Sequence, residues 1–165
     1  MHEKFLPRHA LPQAVNRTGT TPCCKLRNRS RIIRRSRPLF ASRGRTRIAS
    51  RDQKRSAAFL TTILGLPDAT PYGRFLVAET DNSVSLDYAE TSDPIAGQHY
   101  AFLVSDDEFD AAFGRITAQE LTYWADPGRN RPGQINTRDG GRGVYFADPD
   151  GHLLEILTRP YGSGG

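Results

Sequence analysis

Two rhythms run through the apolar positions of this chain. Ser56, Phe59, Leu60, Ile63 and Leu64 recur at helical spacing, behind Asp52 as a candidate N-cap and ahead of Gly65 and Pro67 as a stop. They predict a first helix. A second stripe, Phe109, Ala112, Phe113 and Ile116, follows Ser105 and Glu108, which have capping-box spacing. Period-two runs over 74–80 and 83–89, separated by Asp81 and Asn82, predict a hairpin. Residues 99–104 and 121–124 read as further strands. Residues 126–141, rich in Gly, Pro, Asn, Arg and Asp, read as a long loop.

The most informative stretch is 143–160. Val144, Tyr145 and Phe146 are strand formers, and 153–157 alternates apolar residues around Glu155. Asp148, Pro149, Asp150 and Gly151 supply turn chemistry between them. This is a hairpin with an acid in its second strand. Burying a carboxylate among Leu and Ile is costly without a cation, donors or water, so Glu155 either faces solvent or is a ligand.

The order strand, helix, strands occurs twice. A shift of fifty-four positions places Asp52 on Asp106, Ala57 on Ala111, Ala58 on Ala112 and Phe59 on Phe113. The predicted architecture is α+β, two βαβββ modules forming a curved mixed sheet around a central cup. The domain spans 46–160, with module one at 46–92 and module two at 97–160, and 161–165 is a tail.

This terminal hairpin and the repeated element order resemble the vicinal oxygen chelate superfamily, which includes glyoxalase I, bleomycin- and fosfomycin-resistance proteins and extradiol dioxygenases. The resemblance covers roughly 50–160. It implies a divalent metal held by the first and last strands of each module, with Glu155 as the terminal-strand ligand and the catalytic acid. The repeat sets His99 of the second module on Arg45 of the first, and a guanidinium cannot ligate a cation. His99 and Glu155 together suit zinc, iron, manganese or nickel. Asp87 is the candidate in the last strand of module one, since alternation puts Ser85, Asp87 and Ala89 on one face. Tyr100, Phe102, Trp124 and Tyr145 would line the substrate cleft, and Arg142, near Asp139, would hold an anionic substrate.

Composition divides the chain. The overall charge is +5, yet residues 1–50 carry thirteen Lys and Arg against Glu3 alone, whereas 51–165 carry ten bases and seventeen acids. Residues 1–45 lack an apolar period and are expected to be disordered. A non-native start, a targeting segment and a nucleic-acid arm are the readings of that segment, nucleic acid being disfavoured by the lack of interleaved aromatics. Adjacent Cys23 and Cys24 exclude a bridged secreted scaffold. No run approaches a membrane span, so a cytoplasmic protein is expected.

The stretch around Ile48 and Ala49 offers little to bury, which predicts a degraded first strand with its ligand lost. Two functions follow from the resemblance. One is a lyase, isomerase or dioxygenase that binds a small molecule at a divalent metal. The other is a metal-free ligand-binding protein of the bleomycin-resistance type. The resemblance also allows a homodimer.

Overall fold

The computed structural model describes residues 44–164; the readings of the basic segment and of Cys23 and Cys24 fall outside them. Within these residues the chain forms two four-stranded mixed sheets and two helices, the α+β arrangement of two βαβββ units.

Strand β1 (Gly44–Ser50) leads to α1 (Gln53–Leu64), then β2 (Thr70–Tyr72), β3 (Phe75–Glu79) and β4 (Val84–Glu90). The second unit repeats this order with β5 (His99–Leu103), α2 (Asp106–Ala118), β6 (Tyr123–Trp124), β7 (Gly143–Ala147) and β8 (Leu153–Leu157). Sheet order is β1-β4-β3-β2 in the first and β5-β8-β7-β6 in the second. In each, the first strand lies parallel to the last and forms an edge.

The helix ends follow their local chemistry. Asp52 accepts from Lys54 and Arg55 N–H groups, and Gly65 takes the left-handed conformation, φ 70°, that a side chain resists. At α2 the Ser105–Glu108 capping box closes in both directions. Ala57, Leu60 and Ile63 from α1 join Phe109, Ala112 and Ile116 from α2 in one core with Ile48, Leu86, Tyr88, Val144, Phe146 and Ile156. One core thus serves both units, and its burial is the main stabilising term.

The expected loss of the first strand is corrected. β1 pairs with β4 over seven residues, Gly44 with Val84 through Ser50 with Glu90. A parallel ladder is made by backbone groups, so Arg and Thr side chains do not forbid it. Only Ile48 and Ser50 are buried, and that suffices to seat the strand.

The helix identities of the repeat are also revised. Asp52 is an N-cap, whereas Asp106 lies inside its helix behind Ser105. Ala58 is exposed while Ala112 is buried. The strands do obey the fifty-four-residue shift, because Ile48 and Ser50 face the core as Phe102 and Val104 do. One extra residue between β1 and the first cap offsets the helices.

Candidate functional site

Strand parity decides which side chains leave the core. On β8, Leu154 and Ile156 point into it, so Glu155 points to the opposite face. On β5, Tyr100 and Phe102 pack toward the core and leave His99, Ala101 and Leu103 outward. Ala101 pairs with Glu155 in the parallel ladder, and Tyr145 pairs with Glu155 from the other side. His99, Glu155 and Tyr145 therefore share one face.

Their side chains meet there. His99 Nε2 lies 3.0 Å from Glu155 Oε2. The Tyr161 hydroxyl donates to Glu155 Oε1, and the Tyr145 and Tyr161 oxygens are 2.8 Å apart. Glu155 is 1 % exposed, and these neighbours engage both of its oxygens. Burial raises the Tyr145 and Tyr161 hydroxyls above the ordinary phenol range, helped by the adjacent carboxylate, and keeps both protonated as donors.

Other expected residues lie elsewhere. Asp87 is buried on β4 of the first sheet, where Arg45 Nε and a terminal nitrogen contact its Oδ2 at 2.8 and 2.7 Å. It does not join His99 and Glu155: among the described residues no three His, Cys, Asp or Glu side chains converge as a metal group. Arg45 also lies over Tyr72, 4.8 Å from its ring centre. Arg142 is committed to Asp106 and Asp110 of α2 and to the Phe109 ring. Trp124 neighbours Tyr145 across β6–β7 and is covered by Arg129. Tyr100 packs its edge against His152, on the core side of β5. Tyr161, assigned by sequence to the tail, is the contact that pattern reading passed over.

His152 serves the scaffold. Its Nδ1 accepts from the Gln98 N–H at 3.0 Å, and Nε2 is 2.9 Å from the Ala49 carbonyl. A carbonyl only accepts, so Nε2 carries the proton and the imidazole ties β1 to the second unit.

A family model for the Glyoxalase/Bleomycin resistance protein/Dioxygenase superfamily matches residues 42–156. The chain belongs to this superfamily. Among solved structures it is similar to the oxidase ChaP-H2, with 57% identity, a TM-score of 0.74, and coverage of 77% of this chain and 100% of that one. It is 29% identical over 116 residues to the glutathione transferase FosA of Serratia marcescens, covering 66% of this chain and 74% of the relative. It is 44% identical over 62 residues to the metallothiol transferase FosB of Shouchella clausii (strain KSM-K16), covering 36% of this chain. The chain thus spans 37% of the length of FosB.

The superfamily's metal chemistry can be tested against the donors present. In an octahedral shell two adjacent ligands, each about 2.1 Å from the cation, stand about 3 Å apart, against about 3.4 Å in a tetrahedral one. The 3.0 Å between His99 Nε2 and Glu155 Oε2 matches the octahedral spacing, and the pair joins an imidazole to a buried carboxylate. Both are side chains of a type that ligates divalent ions, and here they contact each other directly. Position 45 adds none, since its guanidinium is a donor of protons held by Asp87.

Proposed function

We propose that this chain is an oxidase- or dioxygenase-like member of its superfamily that binds an oxygen-bearing small molecule at a divalent metal anchored by His99 and Glu155. The observation that carries the reading is the 3.0 Å approach of His99 Nε2 to Glu155 Oε2 on one sheet face. The 57% identity to a protein named an oxidase favours oxidative chemistry over the transferase names of the more distant relatives.

The bound ion would act as a Lewis acid toward the substrate's oxygens. The chain's own residues do the rest. Glu155 supplies fixed negative charge beside the imidazole, and the Tyr161 hydroxyl orients it. Tyr145, adjacent in the ladder and 5.7 Å ring-to-ring from His99, forms a wall of the site. Leu103, 62% exposed on the same strand face as His99, offers apolar contact.

A homodimer belongs to the same reading. Among the described residues β1 and β5 are edge strands, the second beside the face that bears His99. Light scattering on purified protein would read a mass near twice 18.4 kDa, and a monomer would remove this part.

A metal-free binding protein is the second reading. It is favoured by Arg45 standing at the repeat-equivalent of His99, and by Glu155 having hydrogen-bond partners on both oxygens. Dioxygen uptake by iron-loaded protein offered phenolic compounds separates the two. Metal-dependent uptake supports the oxidase; ligand binding without metal or uptake supports sequestration.

A further inference from the structure

We infer that Tyr161 is a positioning residue for Glu155, delivered by a C-terminal strap that docks on the 138–141 turn. The inference rests on the reading of His99 and Glu155 as the metal anchor.

The carboxylate is divided between two partners. Oε2 faces His99, and Oε1 accepts the Tyr161 hydroxyl proton. A phenol has one proton, so with Tyr161 donating to Glu155 the 2.8 Å contact to Tyr145 has Tyr145 as its donor. The order of donation is fixed as Tyr145 to Tyr161 to Glu155. One carboxylate oxygen is thereby occupied, and the other is left to share a cation with His99. Without the phenol, Glu155 is free to turn or to present both oxygens at once.

Tyr161 reaches this place from outside the sheet. After β8 the Thr158 N–H donates to the Arg142 carbonyl and its hydroxyl accepts the Arg142 N–H, each at 2.9 Å. Gly162 N–H then donates to Asp139 Oδ2 at 3.0 Å. Gly141 permits the close approach, for a Cβ there would sit 2.9 Å from Arg159 Cβ. The Arg138 guanidinium lies 6.0 Å from the Tyr161 ring centre. Although its hydroxyl is sheltered beside Glu155, Tyr161 as a whole is 45% exposed, so apolar burial adds little. Its hydroxyl is what it supplies.

The test is titration of the full chain with Co²⁺, read by calorimetry and by the visible spectrum of the bound ion. Tyr161→Phe keeps the ring and removes the donor. It should weaken Co²⁺ binding about 10- to 100-fold, as loss of a partner to a ligand commonly does, and alter the spectrum. Asp139→Ala, which frees the strap, should move both in the same direction. Ser163→Ala removes a bond internal to the strap and should move neither. Equal affinity and an unchanged spectrum in Tyr161→Phe overturn the inference.

If wild type takes up no Co²⁺, the metal reading fails by itself. The positioning is then judged in metal-free protein by NMR. A downfield hydroxyl proton that vanishes in Tyr161→Phe, with the His99 ring resonances shifting, supports it; no such proton in wild type overturns it.

Discussion

His99 and Glu155 are 56 residues apart in sequence and 3.0 Å apart at their side chains. The cause is topological. β5 and β8 are parallel neighbours, so a strand that opens the second unit lies beside the one that closes it, with Ala101 opposite Glu155. Parity then turns both side chains away from the core. The candidate site is built from the same sheet that buries Leu154 and Ile156.

The first sheet carries an ion pair on the corresponding outward face. Asp87 is 7% exposed and its Oδ1 has no hydrogen-bond partner among the described residues, so Arg45 is its main compensation there. Arg45→Met should lower the melting temperature by stranding a buried carboxylate. Arg45→Met with Asp87→Leu should recover most of the loss. Additive losses in the double variant, followed by thermal unfolding, would show that the pair is not coupled.

His152 joins the two units by two bonds to backbone groups, the Gln98 N–H and the Ala49 carbonyl. His152→Ala removes a partner from both part-buried groups and opens a cavity at a buried position, at a cost of about 2–4 kcal/mol. Urea denaturation at neutral pH measures it. A change under about 0.5 kcal/mol, the range of an ordinary surface substitution, would mean water replaces the ring.

The capping box of α2 gives a pH dependence. Glu108 accepts from the Ser105 N–H and hydroxyl, which holds its carboxyl below the ordinary glutamate value. A lowered folded pKa stabilises above the unfolded value, and that stability is lost as pH falls through the folded one. Ser105→Ala should therefore cost about 1 kcal/mol at pH 7. The gap to wild type should narrow in acid. A constant gap across denaturation curves from neutral to acid pH would assign the cap to the serine alone.

The fold was legible wherever local chemistry and burial agree. Asp52, Gly65, Ser105 and Glu108 act where their residue types predict, and the terminal hairpin falls where its turn residues put it. Strand β1 was not legible, because its strand character comes from the β4 backbone and from Asp87, which lies 42 residues away from Arg45. Strand β2, with Pro71 inside three exposed residues, has no pattern to read. At the site, Glu155 stood out as an acid among apolar strand residues and the resemblance paired it with His99, but the capture of Asp87 by Arg45 was not legible. Tyr161 sits among small residues, and only the docking of Gly162 on Asp139 reveals its reach.

Metal content decides whether His99 and Glu155 anchor an ion. Wild type and His99→Ala, each dialysed against excess Fe²⁺ or Zn²⁺ and then freed of loose ion, are compared by elemental analysis. About one equivalent per wild-type chain and little in the variant is expected, since a two-donor anchor does not survive loss of its imidazole. Full occupancy in His99→Ala, or none in wild type, contradicts it.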